Sequence, residues 1–327
     1  MVKVSFVIRT LNEVSSIGKV ISLINELKGN FSKEIVIVDS GSTDGTVEVV
    51  SEHENVVLLK VEPKDWSWGY SLNLGVARAI GDYIVIISGH CYISEESFLE
   101  KSISLLEQNH KVAAVYGQQK PIDNFDPFEE WELFSWYPNM SLHIMDNPKS
   151  LIGVSNACCV LKKVAWKLNS FDENAQSMED GIWAVSIINA GWKLIYSSDI
   201  GVYHSHKFDP QYIYRKWFSR TLQGLLFAED IYKKEIRYKL KKKIKFYLLS
   251  AITTVSKNRE NYQIKKFLSD RAYIDESDIH AFLNLKYLAI TNAQKAFIKG
   301  DKVNYWDVEI DKISLDKLTK LKDIINV

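Results

Sequence analysis

No run of apolar residues in this chain approaches the roughly 18–20 needed to cross a bilayer. Cysteine is scarce. Cys91, Cys158 and Cys159 are the only three, an odd number without metal-ligand spacing, which speaks against both a disulfide framework and a thiolate zinc site. A reducing compartment follows. The first strand-like run begins at Lys3 and leaves no room for a signal peptide, so a cytoplasmic protein is expected, soluble or lying on the inner face of the membrane. Net charge is also lacking: 41 Lys and Arg balance 41 Asp and Glu, and nothing global points to nucleic acid. What is present is ordinary for a globular protein, with 46% hydrophobic and 25% charged residues, and 327 residues suffice for one large domain and an appendage.

Residues 1 to about 120 alternate strand-like and helix-like segments, with strands expected near 3–9, 34–39, 55–61, 82–88 and 112–117. This pattern predicts a doubly wound α/β sheet. The clearest stretch is Ile35-Val36-Ile37-Val38 followed by Asp39-Ser40-Gly41-Ser42-Thr43-Asp44-Gly45-Thr46. A buried parallel strand there would place the Asp39 carboxylate at its C-terminal end, where open α/β sheets bind ligands. Ser42, Thr43 and Asp44 are competent to cap the helix that follows. The first strand likewise ends in Arg9-Thr10-Leu11-Asn12-Glu13, and a helix patterned by Ile17, Val20, Ile21 and Ile24 follows it.

Taken together, these two motifs resemble the nucleotide-binding half of family 2 glycosyltransferases of the GT-A fold, over about residues 1–210. The resemblance implies an α/β catalytic domain over 1–210 and leaves 211–327 as a mostly helical region, for membrane-surface contact or oligomerisation. It also implies that Thr10, Asn12, Glu13 and Ser42 line the nucleotide pocket and that Asp39 meets the base. Ser71-x-Asn73-x-Gly75 looks like the family's segment over the diphosphate, with Ser71 expected as helix N-cap and Asn73 in the first turn. After the fourth strand the family carries an Asp-x-Asp motif that holds a divalent cation. This chain has Ser88-Gly89-His90 instead, which makes a Mg2+ or Mn2+ requirement doubtful. His90 could ligate a metal through a neutral ring nitrogen or meet phosphate as a cation. His204 and His206, two residues apart on an expected strand ending in histidines, are candidates to join it.

By the same resemblance Asn156 contacts donor or acceptor, and Glu179-Asp180 at a helix N-terminus supply the general base, Asp180, and its support, Glu179. Acidic residues in a first helical turn also simply complement the helix dipole. Residues 117–152 read as irregular and aromatic-rich, with rings suited to sugar faces or to a satellite core. Beyond residue 210, Ile236, Leu240, Ile244 and Leu248 recur beside Lys239, Lys241, Lys242, Lys243 and Lys245. That stretch suits either a membrane surface or a solvated helix packed on its own domain. The expected activity is inverting transfer from a nucleoside-diphosphate sugar, UDP- or dTDP-linked, to a glycan or lipid-linked glycan of capsule or lipopolysaccharide. Two rivals stand beside it: a non-catalytic sugar-nucleotide-binding assembly protein, and a sugar-phosphate nucleotidyltransferase. The second would need a Gly-rich loop with a basic residue after the first strand, and none is present.

Overall fold

The computed structural model describes residues 2–122, 126–206, 209–232, 256–268, 276–299 and 303. The chain divides into two compact units. The first comprises Met1–Phe125, Glu132–Ala175 and Glu179–Ser205; the second comprises Asp126–Trp131, Gln176–Met178 and His206–Val327.

The first unit is built on a nine-stranded mixed sheet. Strands β1 (Val2–Thr10), β2 (Phe31–Asp39), β3 (Val56–Lys60) and β4 (Tyr83–Ser88) run parallel in the order β3-β2-β1-β4. The antiparallel strand β8 (Cys159–Lys162) then joins β4 to β6 (Val112–Lys120). β9 (Lys193–Tyr203) pairs parallel with β6, and the short β5 (Tyr92–Ile93) and β7 (His143–Met145) pair antiparallel with β9. The unbroken Ile35–Val38 run forms a strand because both faces of the sheet are covered: all four residues are fully buried. The two-residue period sorts β1 between two cores. Phe6 and Ile8 join the cluster containing Ile17, Val20 and Ile21 of α1 (Ile17–Glu26), while Val7 joins the cluster containing Leu72 and Val76 of α3 (Trp68–Arg78). Each large side chain buried this way contributes about 1.5–3 kcal/mol relative to exposure.

Close approach of α3 to the sheet explains one glycine. A Cβ on Gly75 would lie 2.5 Å from Val7 Cγ1 and 3.0 Å from Val38 Cγ2, so only glycine lets this helix sit directly on β1 and β2. The remaining helices of the first unit are α2 (Thr46–Ser51), α4 (Phe98–Glu107), α6 (Lys163–Leu168) and α7 (Glu179–Asn189).

Three local expectations are corrected. The expected strand ending in histidines is the last part of a longer one, β9, whose register against β6 jumps from Gly117↔Ser197 to Gln118↔Gly201, leaving Ser198–Ile200 as a bulge; the histidines follow the strand's end rather than occupying it. Residues 117–152 are not irregular throughout: β6 continues to Lys120, α5 (Pro127–Trp136) is helical, and β7 follows. Finally, α2 is entered through Gly45 at φ 102; of the three candidate caps Asp44 meets the helix, its Oδ1 accepting the Thr46 N–H at 3.0 Å, while the Ser42 hydroxyl donates to Asp39 Oδ2.

The second unit contains α8 (Pro210–Tyr232), α9 (256–267) and α10 (Glu276–Lys299). Its core brings Ile213 and Phe218 together with Ile264, Phe282 and Leu283. Phe128 and Phe282 stack with centroids 4.8 Å apart. The lysine-rich stretch around Lys239–Lys245 lies outside the described residues. Among the described residues no helix is long and apolar enough to cross a membrane.

The three cysteines are free and buried. Burial pushes the Cys91 thiol up to about 12, and burial followed by the neighbouring thiol raises Cys158 and Cys159 well above the ordinary range. Thiolate, the reactive form, is therefore suppressed at neutral pH. Mass spectrometry after iodoacetamide at about pH 8 is expected to show no alkylation of the native chain and full alkylation after denaturation.

Candidate active site

The site is assembled at the C-terminal ends of β1, β2 and β4. Register places Thr10 beside Asp39 and Arg9 beside Ser88, so three strand tips meet at one edge. The β1 and β2 tails are stitched by their polar residues. Asn12 N–H donates to Ser42 Oγ at 2.8 Å, Asn12 Oδ1 accepts from Thr43 N–H at 2.9 Å, and Glu13 N–H donates to Thr46 Oγ1 at 2.7 Å. Asn12 sits at φ 56, a conformation that asparagine tolerates better than most residues. Asp39 is buried. Its Oδ1 accepts the N–H groups of Gly41 and Ser42 at 3.0 Å each, and its Oδ2 accepts the Ser42 hydroxyl.

After β4 the chain turns sharply. Cys91 N–H donates to Ser88 O at 3.0 Å, closing a four-residue turn with His90 at its third position. Gly89 permits the tight approach: a Cβ there would stand 3.0 Å from Thr10 Oγ1 and 3.2 Å from Glu13 Cγ. His90 then lies in a chain of polar contacts. Glu13 Oε1 accepts from His90 Nδ1 at 2.7 Å, His90 Nε2 lies 3.0 Å from His204 Nε2, and Gln119 Oε1 accepts from His204 Nδ1 at 2.6 Å. Glu13, read from the sequence as a nucleotide contact, is thus held against His90. His206 opens the last segment of the second unit, where its backbone N–H donates to Glu129 Oε1 at 3.0 Å.

The acidic pair differs sharply in environment. Glu179 is buried and accepts from Arg9 Nη1 at 3.2 Å, and the Arg9 guanidinium lies 4.8 Å over the Trp68 ring. Asp180 is half-buried; its Oδ1 accepts Gly181 N–H at 2.7 Å and its Oδ2 accepts Asn156 N–H at 3.3 Å. Met178, just before them, adopts φ 60, an unfavourable conformation for a long side chain and a place where strain is stored.

The helix over the site is displaced from its expected start. Ser67, not Ser71, caps α3 by accepting Tyr70 N–H at 3.0 Å, and Ser71 falls within the helix. The Asn73 amide donates to Phe171 O and Glu173 Oε1 and accepts from Trp166 Nε1 and Phe171 N–H, so all four of its hydrogen-bonding positions hold protein. A ligand would have to replace one of them. Thr10 Oγ1, Ser71 Oγ, Gln119 Nε2 and Asn156 Oδ1, by contrast, are buried without a hydrogen-bond partner. Orphaned polar atoms are costly unless something else meets them. Arg9 and Gln119 were given no role from the sequence, though both stand at strand ends, the position that marks ligand contacts in such sheets.

Two imidazoles whose far nitrogens are held by acceptors, and whose near nitrogens meet, are a donor set that fits a divalent cation. The β1 tip touches both acidic positions: Thr10 lies beside Asp39 in register, and Arg9 bonds Glu179, the residue before Asp180.

Comparison with known proteins identifies the class. The sequence profile of glycosyl transferase family 2 matches residues 5–168, and the chain belongs to that family. It is 25% identical over 222 residues to the O-antigen chain rhamnosyltransferase RfbN of Salmonella typhimurium, covering 66% of this chain and 70% of that protein. The O-antigen chain rhamnosyltransferase WbaN of Salmonella anatum is 26% identical over 58% of this chain and 62% of its own. Among solved structures, a mannosyltransferase from Pyrobaculum calidifontis, in complex with GDP-Man and Mn2+, superposes with a TM-score of 0.57 at 16% identity, over 91% of this chain and 88% of that one. The fold is GT-A, with a helical C-terminal portion.

Proposed function

We propose that this chain is an inverting glycosyltransferase that moves a sugar from a UDP- or dTDP-linked donor to a hydroxyl of a cell-surface glycan, of capsule or lipopolysaccharide type. The observation that carries this reading is the continuity of the strand-tip network: Asp39 lies beside Thr10, Arg9 beside Ser88, and Arg9 grips Glu179, next to Asp180. The Salmonella relatives are, by name, O-antigen chain rhamnosyltransferases, which supports a glycan acceptor.

In this reading Asp39 meets the base and the orphaned Thr10 and Ser71 hydroxyls meet ribose or phosphate. Asn156, whose N–H reaches Asp180 and whose Oδ1 is unsatisfied, meets donor or acceptor. His90 and His204 face the diphosphate with Ser88 beside them; the role of His206 rests on the sequence motif alone. Asp180 takes the acceptor proton as the hydroxyl attacks the anomeric carbon and the diphosphate leaves from the opposite face. Glu179, held by Arg9, positions α7 rather than accepting the proton. A divalent cation held by His90 and His204 would supply Lewis-acid stabilisation of the departing diphosphate. Correct alignment of donor and acceptor supplies much of the acceleration.

A panel of nucleotide sugars, read by thermal unfolding, tests this. One donor is expected to raise the midpoint, because saturation at about a hundred times Kd adds about 2.7 kcal/mol to the native state. A panel in which no nucleotide sugar or nucleoside diphosphate stabilises the chain contradicts the reading.

A further inference from the structure

We propose that the groove between α9 and α10 binds a neutral oligosaccharide, a segment of the glycan chain to which the sugar is added. The inference rests on the reading of this chain as a transferase to a glycan, and it adds a glycan contact made wholly within the second unit.

The groove has a volume of about 620 Å3, and its lining residues all belong to α9 and α10. On α10 they are His280, Leu283, Asn284, Tyr287, Leu288 and Thr291, spaced alternately three and one apart, so they form a single stripe down one helix face. From His280 to Thr291 that stripe runs about 16 Å, the length of a short oligosaccharide rather than of one sugar. Lys257, Asn258 and Asn261 of α9 form the facing wall. Glu260 ties the two helices together: its Oε2 accepts the Tyr287 hydroxyl at 2.8 Å, and its Oε1 accepts from the Lys286 ammonium.

The lining is polar but hardly charged. Among the described residues no carboxylate and no guanidinium borders the groove. The Lys257 ammonium is already engaged, donating to Asn284 Oδ1 at 2.6 Å, and burial lowers its pKa. An anionic ligand would therefore find no bidentate cation to meet it. Three carboxamides take the place of charges. Each carries a donor and an acceptor side by side, and a sugar hydroxyl both gives and takes a hydrogen bond. Asn284 keeps its amide donors after accepting from Lys257. Asn261 Oδ1 is buried without a hydrogen-bond partner, a demand that a ligand hydroxyl would meet. Thr291 gives its own proton to Tyr287 O at 2.8 Å and retains oxygen lone pairs. Between these groups Leu283, Leu288 and Tyr287 supply apolar surface for the C–H faces of sugar rings.

The test presents the full chain to an array of short oligosaccharides from bacterial surface polysaccharides, with inorganic phosphate and pyrophosphate as competitors. At least one neutral oligosaccharide is expected to bind, with an affinity that barely changes between about 0.05 and 0.5 M salt, because screening acts on charges. Asn258 and Asn284 are exposed helix positions where alanine is favourable. The double variant Asn258→Ala with Asn284→Ala is expected to weaken oligosaccharide binding about 10–100-fold, the loss of two hydrogen bonds. Thermal stabilisation by nucleotide sugar should be unchanged in it, and circular dichroism checks that its helices are retained. Should it fail to fold, Asn258→Ala alone decides, with an expected loss of about 3–10-fold. No bound oligosaccharide, unchanged affinity in the folded variant, or displacement by phosphate or pyrophosphate overturns the proposal. Oligosaccharide binding through these residues in a chain that no nucleotide stabilises would leave this site standing and remove the donor assignment instead.

Discussion

Asp180→Asn is expected to slow release of nucleoside diphosphate from the donor roughly 10²–10⁴-fold, the usual contribution of a positioned general base. The Michaelis constant for the donor should barely move, because on the proposed reading Asp180 faces the acceptor. Asparagine retains an oxygen to accept either the Gly181 or the Asn156 N–H, so the N-terminal turn of α7 and the thermal midpoint should be preserved. Equal rates in the variant and the wild type would remove the base from Asp180.

The adjacent carboxylate should behave in the opposite way. Glu179→Gln leaves the Arg9 guanidinium buried against Trp68 with no anionic partner, at 13% side-chain exposure. Breaking one side of a buried ion pair costs roughly 3–5 kcal/mol, because the remaining charge stays desolvated. Urea denaturation is expected to show that loss, with an unchanged slope. The double variant Arg9→Met with Glu179→Leu should recover much of it, since apolar replacement of a buried pair is often neutral. A Glu179→Gln variant as stable as wild type would show that Arg9 and Glu179 do not depend on each other. Two neighbouring acids would thus divide the work, one losing rate and the other losing stability when neutralised.

Much of the sheet could be read from the chain because its parallel strands are continuous apolar runs ending in polar residues, as at Val38-Asp39 and Ile87-Ser88. That same feature located Asp39, Ser88 and His90 at strand ends. What could not be read depends on distant neighbours. Ser67 and Ser71 both look like helix caps, and the choice between them is made by residues 172–173, against whose backbone Gly69 packs so closely that a Cβ would meet Asp172 O at 2.2 Å. Ser197-Ser198-Asp199 looks like a turn between two strands. It is a bulge within one strand, because Gly117 on β6 leaves room for the Ile200 backbone. Gln119 and Arg9 acquire their partners 85 and 170 positions away, so no local pattern marks them. Glu13 reads by motif as part of the nucleotide wall, and the fold places its carboxylate on His90, a contact no local pattern marks.

A crystal structure of the chain with the stabilising nucleoside diphosphate is the most direct test of the central claim. The account predicts the base against Asp39, the diphosphate beside His90 and His204, and an open space between its terminal phosphate and Asp180. A nucleotide bound anywhere that leaves Asp39 and His90 untouched would contradict it.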